Sequence, residues 1–278
     1  MNLLDTKLET QRVGDINIAY RWDGVADGPV VMMAHAMGTS HRIWDLQVPA
    51  LAGRYRLLRY DWRGHGDTDA PQGPYTLDQF VSDAIGLMDV LGLDKVHWVG
   101  ISTGGMIGQG LGIHHPNRVS TLTLCNTTSQ ADEWYRGWVA ERQAVAQRGG
   151  MGPIWDMTKR LWFTDAFVDT GGDDYETVRD VFVRTKVPGY LGGTSAVADL
   201  AYRDHLQQIS CPTHIIAAGA DPVTPIKKSR EICDRIAGSK LEVIEEQRHF
   251  SNVEVPETFN AILCAGLDEM IGRGRMTN

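Results

Sequence analysis

The segment Val96–Gly105 constrains the fold of this chain more than any other part of the sequence. Four of its first six residues are apolar, which is typical of a buried β-strand. This strand pattern leads directly into Gly-x-Ser-x-Gly around Ser102, and a helical pattern begins at Thr103. We therefore predict a sharp strand-to-helix turn that holds a serine hydroxyl above the end of a sheet. Gly100 and Gly104 suit that turn, because it leaves no room for a β-carbon on either side of the serine.

Strand and helix patterns alternate along most of the chain. Eight segments have the pattern of strands, namely residues 9–13, 16–21, 29–34, 55–61, 96–101, 119–125, 213–219 and 241–245. The run Val30–Met33 is apolar at consecutive positions, as expected of a strand buried on both faces. A long amphipathic helix follows Thr76, which is a favourable residue for a helix start. The alternation predicts an α/β fold with a mostly parallel, doubly wound, eight-stranded sheet.

The alternation stops between about residues 126 and 210, where the patterns are mainly helical. We predict a core domain formed by residues 1–127 and 209–278, with an inserted helical cap at 128–208. Half of the eight tryptophans of the chain lie in this window: Trp134, Trp138, Trp155 and Trp162. They fit a small core of the helical segment or the roof of a substrate pocket. The two interpretations are compatible, because a cap needs a core of its own.

Composition argues against several classes of partner. The net charge of −8 disfavours binding to nucleic acid or to an anionic membrane. The four cysteines include no CxxC pair, so neither a metal site nor a redox couple is expected. Residues 1–7 lack the features of a signal peptide, and no apolar run approaches the roughly 18 residues that span a bilayer. We expect a cytoplasmic protein without cofactor or metal, and both a monomer and a homo-oligomer remain open.

Position relative to strand ends selects partners for Ser102. A serine nucleophile needs a histidine base, and the histidine needs an orienting carboxylate. Functional groups of doubly wound sheets gather at the carboxyl ends of strands. His249 follows the last predicted strand and Asp221 follows the one before, whereas Asn126, at the other position used for the acid, carries no charge. We predict a catalytic triad of Ser102, Asp221 and His249.

The backbone near Ser102 is expected to form an oxyanion hole. One donor should be the N–H of Thr103, directly after the serine, and the second the N–H of Met37, in the loop after the third strand. We predict further contacts with the substrate from five residues: His35, Trp134, Trp138, Arg160 and Trp162. Arg136, Arg142, Lys159 and Arg160 are candidate anion contacts of the cap, although each is first expected to be a solvated surface charge.

Several short segments carry a resemblance to a known family. They are RYDWRGHG at 59–66, GPYT at 73–76, LCNT at 124–127, WFT at 162–164, GY at 189–190 and HFSNVE at 249–254. Together with the predicted triad, they make the chain resemble the α/β-hydrolase superfamily from about residue 16 to 267. Within it, the chain looks most like the 3-oxoadipate enol-lactonases of bacterial aromatic catabolism. The resemblance implies a lactone or small ester as substrate.

The chain departs from the enol-lactonase pattern at three places. Thr103 stands where that family often has methionine, and the loop after the third strand reads His-Ala-Met-Gly where Asn-Ser-Leu-Gly is expected. Leu161 stands where an arginine precedes Trp-Phe-Thr, and Arg160 lies one residue earlier. If that arginine binds a substrate carboxylate, the displacement weakens the expectation of a dicarboxylate.

The sequence therefore favours a cofactor-free serine hydrolase that cleaves a lactone or small ester through an acyl-enzyme. Serine at the nucleophile position argues against haloalkane dehalogenase and epoxide hydrolase chemistry, which use aspartate there. Alternatives within the enzymes are a carboxylesterase, a C–C bond hydrolase of ring-cleavage products and a perhydrolase. An alternative of another class is a lactone-sensing receptor on a hydrolase fold.

Overall fold

The computed structural model describes residues 7–276, with side chains described to residue 272. Its strands are β1 (Leu8–Val13), β2 (Ile16–Gly24), β3 (Val30–Ala34), β4 (Arg56–Tyr60), β5 (Val96–Ile101), β6 (Val119–Cys125), β7 (Thr213–Ala218) and β8 (Lys240–Ile244). They form one sheet in the order β1-β2-β4-β3-β5-β6-β7-β8. Strand β2 pairs antiparallel with β1 and β4, and every other pair is parallel. The predicted eight-stranded, mostly parallel sheet is confirmed.

Helices connect the strands on both faces of the sheet. They are α1 (Val48–Leu51), α2 (Leu77–Val90), α3 (Thr103–His114), α4 (Glu133–Gly149), α5 (Met151–Trp162), α6 (Asp165–Thr170), α7 (Asp173–Arg184), α8 (Val187–Ala198), α9 (Ile226–Arg235), α10 (Ser251–Glu254) and α11 (Pro256–Met276). Helix α2 begins with a capping box, in which Thr76 and Gln79 satisfy each other's backbone N–H groups. None of the helices in residues 7–276 is long and apolar enough to cross a membrane.

Consecutive residues of β3 belong to different hydrophobic cores. Met32 packs in one core, with residues of α2 and α3 such as Phe80. Val31 and Met33 pack in the other core, with residues of α11 such as Leu263. Because neighbouring side chains of a strand point to opposite faces, the apolar run in β3 reflects burial on both sides.

Five helices, α4 to α8, lie between β6 and β7. Trp155 and Trp162 from this segment are buried in the same core as Val31. The segment is therefore packed onto the sheet domain, and its tryptophans contribute to a shared core. The boundaries at residues 128 and 208 stay a prediction, and residues 1–6, on which the expectation of no signal peptide also rests, lie outside the described part of the chain.

The turn between β5 and α3 has the conformation expected from the sequence. Ser102 has φ 53° and ψ −114°, a combination that L-residues adopt at a cost in free energy. A β-carbon on Gly100 would lie 2.1 Å from the carbonyl oxygen of Gly104, and one on Gly104 would lie 2.2 Å from that of Ala34. Glycine is required at both positions because backbone atoms occupy the space of a side chain.

We expect Gly104→Ala to destabilise the protein by about 3 kcal/mol or more, because the new methyl group overlaps the backbone of β3. Gly137→Ala is the matched control, since Gly137 is exposed within α4 and has open space at its β-carbon. That change should stabilise the protein by about 0.5–1 kcal/mol. Urea unfolding measures both effects, and similar midpoints for the two variants would contradict the steric account of the turn.

Candidate active site

The loops after β7 and β8 bring Asp221 and His249 together. Oδ2 of Asp221 lies 2.7 Å from Nδ1 of His249. The same carboxylate accepts hydrogen bonds from the hydroxyl of Thr224 at 2.6 Å and from the backbone N–H groups of Val223 and Thr224 at 2.8 and 3.0 Å. Asp221 is 4% exposed and His249 1%. The carboxylate is thus held rigidly against one nitrogen of the imidazole.

Electrostatics keep Asp221 ionised. Burial by itself raises the pKa of this carboxyl, but the charge and the hydrogen bond of His249, together with the bonds from Thr224, outweigh it and lower the pKa below 3.8. The stability linked to this charge is present at neutral pH and is lost only as the pH falls through the lowered pKa. Asp221 is therefore an anion throughout the range in which an imidazole titrates.

Ser102 and His249 line one cavity beneath helices α4, α5 and α8. Because Nδ1 of His249 is engaged by Asp221, Nε2 is the ring nitrogen that remains for the serine hydroxyl. The serine is 7% exposed and held by its backbone: its N–H donates to the carbonyl of Cys125 at 2.8 Å, and Thr127 donates to its carbonyl oxygen at 2.7 Å.

Two backbone N–H groups near Ser102 could serve as the donors of an oxyanion hole. Met37 and Thr103 both line the cavity that contains Ser102. Thr103 is the first residue of α3, so its N–H has no intrahelical acceptor. The N–H of Met37 has no hydrogen-bond acceptor among residues 7–276. Both donors are thus available to an oxygen atom that develops negative charge near Ser102.

Asn126 has a structural role that the sequence analysis missed. It lies at the end of β6 with a positive φ of 42°. Its side-chain nitrogen donates to the carbonyl of His249 at 2.6 Å, and its side-chain oxygen accepts from the N–H of Ala218 at 2.9 Å. The amide therefore joins the ends of β6 and β7 to the loop of the histidine. This role could have been predicted from the sequence, because Asn126 follows a strand whose end lies at the same sheet edge as those before Asp221 and His249.

Two of the predicted substrate contacts lie at the cavity. Trp138 and Trp162 both line it. The Trp162 ring lies 6.4 Å from the imidazole of His249, with an angle of 27° between the ring planes. The N–H of Phe250 donates to the carbonyl of Trp162 at 3.0 Å, so the end of α5 is hydrogen-bonded to the loop of His249.

Three other predicted contacts do not line this cavity. Trp134 is 61% exposed at the start of α4. Arg160 is on the surface, where it pairs with Asp165 and Asp169. His35 is fully buried and stacks on the ring of Trp62. Position along the chain did not reveal which face of its helix or strand each side chain occupies.

Arg142 is one of the four candidate anion contacts from the sequence analysis, which first expected it to be a solvated surface charge. It is 1% exposed and lines the cavity with Ser102. Its Nη2 donates to Thr158 at 2.5 Å, and its guanidinium carbon lies 4.1 Å from the centre of the Trp138 ring. No carboxylate pairs with it among the side chains of residues 7–272. The four-residue spacing of Trp138 and Arg142 places both on one face of α4 and was the signal that could have found it.

A second cavity, of about 250 Å³, lies beside the first. Trp134, Lys227 and Lys228 contribute to its walls, and it shares Tyr135 and Val223 with the cavity of Ser102. No group of three or more His, Cys, Asp or Glu side chains within the described part of the chain is arranged to hold a metal ion. The cavity that contains Ser102 is lined by serine, threonine and tyrosine hydroxyls, by the imidazole of His249 and by the guanidinium of Arg142, and the carboxylate of Asp221 is bonded to that imidazole.

A family model described as the alpha/beta hydrolase fold matches residues 29–256. The chain belongs to the α/β hydrolase family. It is 34% identical over 252 residues to 3-oxoadipate enol-lactonase 2 of Acinetobacter baylyi, covering 91% of this chain and 93% of the relative.

Solved structures support the same relationship. The crystal structure of the enol-lactonase from Burkholderia xenovorans LB400 superposes with a TM-score of 0.90 at 31% identity, over 93% of this chain and 99% of that one. A hydrolase from Pseudomonas aeruginosa gives the same TM-score at 34% identity, over 94% and 98% of the two chains. The predicted resemblance to the α/β hydrolases, and to enol-lactonases within them, is confirmed.

Proposed function

We propose that this α/β hydrolase is a serine hydrolase that cleaves a lactone or a small carboxylic ester through an acyl-enzyme. The main support is the convergence of Ser102 and His249 on one cavity, with Asp221 2.7 Å from the far side of the imidazole. The pair of enol-lactonase relatives favours lactones and esters over other acyl compounds. The order of the three residues along the chain, Ser-Asp-His, is also that of other α/β hydrolases.

The proposed reaction has two halves. Ser102 attacks the acyl carbon while Nε2 of His249 takes the hydroxyl proton, and Asp221 stabilises the resulting imidazolium. The carbonyl oxygen becomes an oxyanion that accepts hydrogen bonds from the N–H groups of Met37 and Thr103. His249 then gives its proton to the departing oxygen, and an acyl-enzyme remains. Water, deprotonated by His249, releases the acid and restores Ser102.

The buried charge of Arg142 indicates which chemical group the substrate carries. Burial lowers the pKa of this guanidinium, but an arginine side chain remains charged in proteins, so the cavity contains a cation at neutral pH. A buried charge without an opposite charge beside it is costly, and a planar carboxylate matches the two-pronged geometry of a guanidinium. We therefore propose that the lactone or ester carries a carboxylate, which binds Arg142. The surface position of Arg160 removes the arginine that the sequence first suggested for this contact.

We expect Arg142→Met to lower kcat/KM by about 10²–10³-fold for a carboxylated lactone or ester, because the substrate charge loses its partner in a buried site. Each substrate is paired with its carboxamide, for which the loss should be under about threefold. Arg160→Met is the control variant, since its side chain is on the surface. The assay measures acid release from lactones, esters and vinylogous diketones. Equal losses on both members of a pair would contradict the anion contact. A protein that hydrolyses none of the lactones and esters, or only the diketones, would contradict the proposed function.

A further inference from the structure

A single carbonyl group in the loop after β3 accepts three hydrogen bonds. The oxygen of Ala36 lies 2.8 Å from Nδ1 of His35, 2.9 Å from the hydroxyl of Thr39 and 3.2 Å from the N–H of Thr39. All three residues are at most 1% exposed. A carbonyl oxygen has two lone pairs, so three donors saturate it and restrict its direction. The three hydrogen bonds therefore fix the orientation of the Ala36–Met37 peptide group.

The same peptide group supplies the N–H of Met37. A trans peptide is planar, and its C=O and N–H point in opposite directions. Donors that pull the oxygen of Ala36 away from the cavity therefore direct the N–H of Met37 towards it. Hydrogen bonds to the oxygen also polarise the peptide, which strengthens the N–H as a donor. Both effects act on one of the two donors of the proposed oxyanion hole.

The ring of His35 is held in the protonation state that this contact needs. Its Nε2 accepts the N–H of Trp62 at 3.2 Å, so the single proton of the neutral ring is on Nδ1, which faces Ala36. The indole of Trp62 donates to the carbonyl of His35 at 3.1 Å and stacks on its ring. Burial lowers the pKa of His35 to about 4, although Asp61 opposes this, and the ring is neutral at physiological pH.

The cap holds the other end of this loop. Thr185 donates to the carbonyl of Gly38 at 3.1 Å, and the ring of Phe182 lies 2.5 Å from the place that a β-carbon of Gly38 would occupy. Gly38 has φ 72°, which favours glycine. The loop is thus fixed on both sides of Met37, and the hydrogen bonds to Ala36 set the orientation of its N–H.

We propose that His35 and Thr39 are positioning residues of the oxyanion hole, which hold the Ala36–Met37 peptide so that the Met37 N–H faces the acyl oxygen. This inference rests on the proposed serine-hydrolase function. It replaces the predicted substrate contact of His35 with a role behind the cavity wall. Their effect reaches the reaction through Met37, so it belongs to the transition state, in which the acyl oxygen gains charge, more than to the bound substrate.

Thr39→Val tests this role, because it removes the hydroxyl donor and keeps the volume and the backbone bond. We expect kcat to fall by about 10–100-fold, while KM changes less than about twofold. This loss is smaller than that from removal of a whole oxyanion donor, because the Met37 N–H is misdirected but still present. Thr39→Ser keeps a hydroxyl and should retain most of kcat. His35→Leu and His35→Asn form a second pair, since the asparagine amide can still donate to Ala36. Melting temperatures of all four variants show whether each is folded.

Two inhibitors distinguish a loss of orientation of the Met37 N–H from a general distortion of the active site. An alkyl trifluoromethyl ketone adds to the serine hydroxyl and places an oxyanion in the hole, so its Ki should rise in Thr39→Val in parallel with the loss of kcat/KM. The Ki of the product acid, which has no oxyanion, should stay the same. Equal kcat in Thr39→Val and Thr39→Ser, or a change confined to KM, would overturn the positioning role. Activity that survives Ser102→Ala would instead refute the proposed function, so the two failures are distinguishable.

Discussion

Ser102→Ala should lower kcat by about 10⁴–10⁶-fold on any lactone or ester that the protein hydrolyses. The expectation follows from the loss of the only atom that can form the acyl-enzyme in the proposed reaction. Removal of Oγ leaves the His249–Asp221 pair and the backbone donors in place, so substrate binding and folding should change little. A p-nitrophenyl ester gives the rate, and mass spectrometry of the quenched wild-type enzyme should show an acyl group on the peptide that contains Ser102.

Ser82→Ala is the control for this change. Ser82 is exposed on α2, and its replacement should leave both kcat and the trapped acyl group unaffected. A Ser102→Ala variant that keeps more than about a hundredth of the wild-type kcat would contradict the acyl-enzyme mechanism. If the wild-type protein binds lactones but hydrolyses none of the lactones and esters tested, the result would instead fit the receptor alternative that the sequence left open.

Asp221→Asn should lower kcat by about 10⁴-fold while the fold is preserved. The amide oxygen can still accept the N–H groups of Val223 and Thr224, as the Oδ1 atom of the carboxylate does. The amide nitrogen then faces Nδ1 of His249 as a donor, so the imidazole must accept there and its proton moves to Nε2. In that tautomer Nε2 cannot take the proton of Ser102, and the imidazolium also loses its counter-ion.

The control variant for Asp221→Asn is Asp180→Asn, which makes the same change at a half-exposed surface carboxylate of α7. Thermal unfolding checks that both variants are folded, and a tenfold or smaller loss of kcat in Asp221→Asn would mean that another group orients the histidine. Thr224 also donates to Oδ2 of Asp221. Its hydroxyl lies 3.5 Å from Nδ1 of His249, a distance too long to replace the carboxylate.

Periodicity predicted the sheet well, and strand-end positions selected the residues of the proposed triad, which stays a prediction. The central strands β3, β5, β6 and β7 could be located because an apolar run buried between two layers differs from the sequence around it. Asp221 and His249 could be paired because the carboxyl ends of parallel strands meet at one edge, and the structure brings them to 2.7 Å. Their catalytic roles, with that of Ser102, stay predictions for the variants above to test.

The side chains that line the cavity depend on tertiary packing more than the triad positions do. Arg142 and Arg160 are both cap arginines, but one is buried above Ser102 and the other is on the surface beside Asp165. Composition cannot separate them, because the side chain that faces the sheet depends on how each helix is rotated and docked. His35 was expected at the substrate, but its side chain is fully buried and does not line the cavity of Ser102.

The amino-acid sequence was sufficient for features that depend on neighbouring residues: the glycine-flanked turn at Ser102, the alternating strands and helices, and the side chains that follow each strand. Local sterics and hydrophobic periodicity encode these features directly. The tautomer of His35, which the N–H of Trp62 determines, and the hydrogen bond of Thr185 to Gly38 depend on segments far apart in the chain. The burial of Arg142 beside the cavity of Ser102 depends on such contacts as well. Such contacts arise when helices pack, because packing decides which charges lose their solvent and which backbone groups are left with a free hydrogen-bonding direction.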